Sequence, residues 1–369
     1  MITRLGLDNV LAFRERDFGT RALTLLAGTN SSGKTSLLHS LALLRQSELV
    51  GMLPHALLLN GALVNLGTGR DLLHSEFRDL TGDDSVGLRL RIDVDGAEHV
   101  WTAEYVRDAD TLRLISAPDR PPECGLFSAG FQYLTADRIV PDVTFPKSHE
   151  AVMVQRSLGA HGEHAPNFLR VHGSEAVAMA SVEHPAAIGR SLADQLDAWL
   201  GDLAPGTQLS VEDIEGTDLV RLVFTRSGTD VKTEPQRATN VGFGLTYALP
   251  IVLGCLAAAP GSLLLLENPE GHLHPRGQAL LGRLCALAAA GGAQVVVETH
   301  SDHVLNAVRL AVKRGELDSG SVLLHYLSRN EGALEPILDT LEVDGDGMVG
   351  SWPSGFFDEI DRALDELLS

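Results

Sequence analysis

Gly28-Thr29-Asn30-Ser31-Ser32-Gly33-Lys34-Thr35 has the form G-x-x-x-x-G-K-[ST], and no other segment of the 369-residue chain limits its fold as tightly. Residues 23–27 before it form a short apolar run of buried-strand type, and residues 35–45 after it repeat leucine at helical spacing. Strand, glycine loop and helix are the context this motif requires. The glycines let consecutive backbone N–H groups turn inward around an anion, with the positive end of the helix dipole behind them. The spacing assigns Lys34 to the β- and γ-phosphates of a nucleoside triphosphate and the Thr35 hydroxyl to Mg²⁺, with Ser36 closing the cradle.

Composition sets the outer bounds. At 44% hydrophobic residues the chain can bury a large core, as one large domain or two smaller ones. Its longest apolar stretch, residues 248–260, is shorter than the roughly 18 residues of a membrane span and reads as a buried helix. Met1-Ile2-Thr3-Arg4 leads straight into a strand-like segment without a signal-peptide pattern, so a soluble, cytoplasmic protein is expected. Cys124, Cys255 and Cys285 are odd in number and far apart in sequence, which suggests neither a disulfide framework nor a zinc site. A formal charge of −20 argues against a surface built to wrap nucleic acid non-specifically, while leaving a local basic patch open.

Along the chain, residues 2–13 alternate apolar and polar and, with residues 21–27, suggest two adjacent strands feeding the loop. Residues 57–74 read as a loop crossing the nucleotide face, and residues 86–94 and 99–107 as a hairpin around Asp95-Gly96. Strands are expected at 111–116 and 131–135, an irregular insertion or lid at 141–173, a helix at 188–203 and paired strands at 209–213 and 219–226. From residue 242 helices at 245–258, 275–290 and 302–314 alternate with strands at 262–267 and 294–298, which implies a parallel sheet with right-handed crossovers. The nucleotide-binding core is therefore expected to be split between residues 1–75 and 240–330, with an inserted β-hairpin and helical subdomain at 76–239 and an extension at 331–369.

The strand at 262–267 ends in Glu267, a carboxylate able to hold Mg²⁺ across from Thr35. It continues as Asn268-Pro269-Glu270-Gly271-His272-Leu273-His274-Pro275, and one strand later stands Glu298-Thr299-His300-Ser301-Asp302-His303. These two segments resemble the ABC-type ATPases of the overcoming-lysogenization-defect (OLD) group, relatives of the SMC and RecF heads. Gly350-Ser351-Trp352-Pro353 with Gly355-Phe356-Phe357-Asp358-Glu359 is similar to a C-terminal domain of unknown function found on one branch of that group, and Tyr133-Leu134-Thr135-Ala136-Asp137-Arg138-Ile139 and Leu59-Asn60-Gly61 fit the same branch.

The resemblance implies an α/β P-loop NTPase of ABC-ATPase head type, with a mainly parallel core sheet, an antiparallel β subdomain and an inserted α/β lid region. It implies ATP and Mg²⁺ as cofactors, with Asn240-Val241-Gly242-Phe243-Gly244 at the place of the signature motif. In that class the signature motif of one subunit closes over the nucleotide of another, so a homodimer is implied. His300 matches the switch histidine that contacts the γ-phosphate, although a histidine that only caps the next helix is an alternative. Asn268 occupies the position where the wider class places a water-polarising glutamate. An amide orients water without accepting its proton, so either Glu270 takes the role or hydrolysis is slow and ATP acts as a dimerising switch.

Close relatives often act beside an effector protein in bacterial anti-phage systems, which implies a separately encoded partner and leaves nucleic-acid contact open. His272 and His274 are expected to serve structure or subunit contact, because no third metal ligand is placed near them. Asp344-Gly345-Asp346-Gly347 reads as a hairpin turn rather than a calcium loop, since the spaced glutamate is lacking. Only 69 residues follow His300, too few for the nuclease module of full OLD nucleases, and residues 357–368 read as an amphipathic helix. A small-molecule kinase and a transporter ATPase fit less well, the former because it needs no signature motif or switch histidine.

Overall fold

The computed structural model describes residues 1–77, 87–226, 236–240, 242–330, 332–350, 353 and 366–367. Apart from Pro353 and residues 366–367, the Trp-Pro segment and the helix expected at 357–368 fall outside these, as does Val241 of the signature segment.

Two six-stranded sheets organise the described residues. The core sheet runs β16 (Ile337–Leu341), β15 (Val322–Ser328), β3 (Leu23–Gly28), β14 (Gln294–Glu298), β13 (Leu263–Glu267) and β8 (Phe131–Leu134). All its pairings are parallel except that of β15 with β16. Both faces of its central strands β3, β14 and β13 are covered, so these are buried and mostly apolar rather than alternating with exposed polar residues, whereas the edge strand β16 is largely exposed. Leu23, Leu25 and Ala27, Leu264 and Leu266, and Val295 and Val297 enter one core cluster, whereas Leu26, Leu263, Leu265 and Val296 enter the other.

The first cluster is closed by helices α3 (Ala165–His172), α4 (Leu192–Leu203), α5 (Phe243–Ala257), α6 (Pro275–Ala290) and α7 (Asp302–Lys313). A small sheet, β10 (Thr207–Asp213), β11 (Leu219–Arg226) and β12 (Gln236–Arg237) with β9 (Phe145–Pro146) on β11, packs into it. Cys255 and Cys285 meet here as buried free thiols.

Trp199 of α4 is 1% exposed, and its indole N–H donates to the Val182 carbonyl at 2.9 Å. Trp199→Ala is expected to cost about 3–5 kcal/mol of folding stability. A urea midpoint that drops at constant m-value would register it, and a loss below about 1 kcal/mol would mean that the site refills.

The second sheet is antiparallel, in the order β2 (Phe13–Gly19), β1 (Ile2–Val10), β5 (Leu88–Val94), β6 (Ala97–Ala103), β7 (Thr111–Ser116) and β4 (Ala56–Leu58). It shares the second cluster with the core sheet and with α1 (Lys34–Leu49). Being buried from both sides, α1 puts even its serines inside: Ser40 and Ser47 satisfy themselves on the carbonyls four residues back, at 2.7 and 2.8 Å.

Three sequence expectations are corrected. Residues 2–13 and 21–27 do not form adjacent strands: β1 turns back on β2 through Leu11, at φ 51°, while β3 belongs to the other sheet. β2 itself, Phe-Arg-Glu-Arg-Asp-Phe-Gly, was hidden by its charged residues, because only Phe13 and Phe18 point into the core. Residues 57–74 are not loop throughout. They form β4 and the short helix α2 (Gly69–Leu72), bury Leu57, Leu59, Leu66 and Leu72, and hang from Gln46, whose amide serves four backbone groups of residues 58–64. Within 141–173 the structure also contains α3, whose Pro166 stands in the first helical turn, where a missing N–H costs nothing. The Asp95-Gly96 hairpin matches expectation, with both residues at positive φ.

Candidate functional site

The site lies where the core strands end. β3 stops at Gly28, whose φ is +147° and where a Cβ would lie 2.0 Å from the Leu327 carbonyl oxygen of β15. Only glycine lets β3 pass this point into the loop. Ser31 at φ 59° and Gly33 at φ 88° complete the turn, and α1 begins at Lys34 without a side-chain cap, so its first N–H groups remain available to an anion. The Lys34 ammonium folds back onto the Gly28 and Thr29 carbonyls at 3.1 and 2.8 Å. Burial pulls its pKa down, opposed by the field of Glu298. The Ser32 hydroxyl is buried with no partner.

Glu267 and Glu298 end the neighbouring strands β13 and β14 in direct register. Glu298 Oε1 accepts the Thr35 hydroxyl at 3.1 Å, whereas its Oε2 is buried and unpartnered. Burial first, and then the charge of Glu267, push the Glu298 carboxyl up to about 7, against the opposing Thr35 hydrogen bond and Lys34 charge. The oxygens of Glu267 are both engaged, Oε1 by the Tyr133 hydroxyl in a short hydrogen bond and Oε2 by the Ala136 N–H at 3.0 Å.

Behind this pair Arg138 stitches the backbone together. Its guanidinium donates to the carbonyls of Thr135, Glu267 and Asn268 at 2.7, 2.5 and 2.6 Å, and sits 4.0 Å from the centre of the Tyr247 ring. Burial pulls its pKa down to about 10.

Asn268 has φ 42°, a left-handed conformation that asparagine tolerates better than glutamate, and its Oδ1 is buried without a partner. Glu270 is 9% exposed; Oε1 accepts the His300 N–H at 2.7 Å, Oε2 is buried with no donor in hydrogen-bonding geometry, and the Thr299 hydroxyl stands close enough to the carboxyl to favour its charged form. Burial raises its pKa, countered first by that backbone hydrogen bond. His300 is exposed, and desolvation and then the Lys34 charge lower its pKa. It does not cap α7: Ser301 does, accepting from the His303 and Val304 N–H groups. His274 caps α6, and His272 packs edge-on against Tyr247 at 4.9 Å, so both histidines have structural contacts within the chain.

The structure thus gathers Lys34, Thr35, Glu267, Glu270 and His300 around the loop. It does not bring Asn240, Gly242 and Gly244 there. Gly242 and Gly244, at the start of α5, line a separate cavity of about 380 Å³ with Arg226, His272, His274 and Arg276, and no phosphate-loop residue takes part in it. Glu298, which the sequence motif contains without assigning it a role, carries a signal of its own: Leu-Leu-Leu-Leu-Glu and Gln-Val-Val-Val-Glu are two buried strands ending in the same residue.

A parallel sheet with a glycine loop between its strand β3 and helix α1, flanked by an antiparallel sheet, defines a P-loop NTPase fold of the SMC-head kind. Comparisons agree at that level. Residues 212–306 match a family described as "AAA domain, putative AbiEii toxin, Type IV TA system", and residues 317–367 match a "Protein of unknown function (DUF3696)". The structure is similar to an SMC head solved bound to the C-terminal winged-helix domain of ScpA, with TM-score 0.52, 13% identity, and coverage of 93% of this chain and 98% of that one. It is also similar to an SMC head from Pyrococcus furiosus bound to the C-terminal domain of ScpA, with TM-score 0.51, 10% identity, and coverage of 100% and 99%. At such identities the likeness concerns the fold. No curated protein sequence matches significantly. Among the described residues no helix is long and apolar enough to cross a membrane.

Proposed function

We propose that the chain is an ATPase of the ABC/SMC-head type that dimerises around MgATP and, by doing so, controls a separately encoded effector protein. The observation that carries this reading is the convergence of a buried loop lysine, the Thr35–Glu298 hydrogen bond and the half-free carboxylate of Glu270 at the end of one parallel sheet. The residues present fit a magnesium nucleotide: the loop turns its glycines inward, Lys34 is held only by carbonyls, and Ser32 Oγ and Glu298 Oε2 are buried polar atoms awaiting partners. Magnesium, when bound, neutralises the phosphate oxygens.

The chain's own residues do the rest. Lys34 exchanges two carbonyls for phosphate oxygens. Asn268 and Glu270 orient a water for attack on the γ-phosphorus, and Glu270 Oε2 takes its proton as ADP leaves. His300, beside Lys34, senses the γ-phosphate. Because the start of α5 lines a cavity without any loop residue, Asn240, Gly242 and Gly244 are assigned to the nucleotide held by a second copy.

In domain terms, residues 1–75 and 240–330 form the split core, extended at one edge by β8 from the inserted region 76–239 and at the other by β16 of the extension 331–369, the rest of which is assigned to partner contact. The ScpA complexes of the SMC heads favour a protein partner. The toxin–antitoxin wording of the matched family and the OLD-like motifs favour a role in bacterial anti-phage defence. A second reading, a slow or non-hydrolysing dimerisation switch, is favoured by Asn268 standing where a base is expected.

Purified protein is expected to bind ATP, release phosphate and double its mass in light scattering when MgATP is added. Lys34→Ala is expected to weaken ATP binding by roughly 10- to 100-fold, the worth of one or two charge-assisted hydrogen bonds. Wild-type protein that binds no ATP by calorimetry would overturn the reading. ATP-dependent dimers without phosphate release would select the switch.

A further inference from the structure

Two glutamates compete for the magnesium-site role, and the hydrogen bonds around them are unequal. Glu267 stands where the strand-end carboxylate of such sites is expected, yet the Tyr133 hydroxyl holds its Oε1 and the Ala136 N–H its Oε2. His39 Nε2 lies 3.8 Å from the same Oε1. Glu298 touches the loop itself. Its Oε1 accepts a hydrogen bond from the Thr35 hydroxyl, which leaves the lone pairs of that hydroxyl for a cation. Its Oε2, on a residue 94% buried (6% exposed), has no partner. A buried carboxylate oxygen without a donor is costly unless something positive meets it. The nearest cations do not: Lys34 is bound to carbonyls, and Arg138 is bound to carbonyls behind Glu267. Among the described residues no three His, Cys, Asp or Glu side chains are arranged to hold a metal ion by themselves, so a cation here depends on oxygens brought by the nucleotide.

We propose that Glu298, not Glu267, is the carboxylate that meets the magnesium of the bound nucleotide, with Oε1 orienting Thr35 and Oε2 supplying the ligand oxygen, directly or through one water. Glu267 is then a positioning residue that fixes Tyr133 and the turn at Ala136. The inference rests on the nucleotide reading and deepens it.

The test is calorimetric titration of a non-hydrolysable ATP analogue, in EDTA and at rising Mg²⁺. Wild-type affinity should climb with Mg²⁺. In Glu298→Gln that gain should fall at least tenfold, while affinity in EDTA stays equal or rises, because a negative charge beside the phosphates has gone. Glu267→Gln should keep most of the gain. Binding in EDTA also reports that each variant is folded. Should Glu298→Gln fail to fold, Glu298→Asp, which keeps the charge but shortens the reach, should lose several-fold of the Mg²⁺ gain. An unchanged gain in the Glu298 variants, or its loss in Glu267→Gln alone, would overturn the inference. Wild-type protein that binds no analogue under either condition overturns the nucleotide reading and this assignment with it, an outcome recognisable without any variant.

Discussion

Glu270→Gln is expected to lower phosphate release by on the order of 10²- to 10⁴-fold while leaving ATP binding within about twofold, so that the nucleotide-bound dimer accumulates. The geometry explains both halves. Oε1 accepts the His300 N–H, a contact the glutamine carbonyl can keep, so the loop before α7 should hold its shape. Oε2 is the buried, unpartnered atom, and replacing it with an amide removes the basic site alone. Burial already raises the pKa of this carboxyl, which makes it a better proton acceptor than an exposed glutamate. Single-turnover phosphate release and light scattering on the same samples read the two effects separately. Unchanged release in Glu270→Gln together with its loss in Asn268→Ala would move the role to Asn268.

Gly28→Ala is expected to be the most damaging glycine-to-alanine change among the described residues. A Cβ there would lie 2.0 Å from the Leu327 carbonyl oxygen and 2.8 Å from its carbon, both backbone atoms of β15 that no rotamer change can move. The same oxygen accepts the Thr29 N–H at 3.1 Å, so relief requires parting β3 from β15 at the mouth of the phosphate loop. Roughly 3 kcal/mol or more of folding stability should be lost, and ATP binding with it. Gly51→Ala is the control. Gly51 also has positive φ, +73°, but a Cβ there meets nothing within 4 Å, so only about 1 kcal/mol of backbone strain is expected. Urea midpoints of the two variants give the comparison, and equal midpoints would mean that the strand contact yields more easily than its geometry implies.

What the sequence makes legible follows from how local each signal is. The helix at 275–290 starts and ends where expected because a capping histidine followed by Pro275 fixes its start without tertiary help. The strand at 294–298 is equally clear, five residues with no competing helical period. β2 was not legible, because its two phenylalanines are spaced among charges and only the sheet beside it shows which face matters. Residues 57–74 looked like a loop because their glycines and asparagines are local signals, whereas the pull of Gln46 on that segment comes from another element. The site divides in the same way. Lys34 and Thr35 belong to one contiguous motif, and Glu267 ends a strand with a known continuation. The Thr35–Glu298 hydrogen bond joins residues 263 positions apart, and only the parallel pairing of β3 with β14 brings them together.

The support that Arg138 gives to the turn after β13 is addressed wholly to main-chain carbonyls, those of Thr135, Glu267 and Asn268. Such a brace does not read the side chains it holds. Residue 268 answers two local demands, a left-handed backbone, which aspartate takes about as well as asparagine, and a buried Oδ1 without a partner, which favours the neutral amide. A single codon step from amide to acid would therefore leave the frame standing and concentrate its whole cost on one buried oxygen that has no donor.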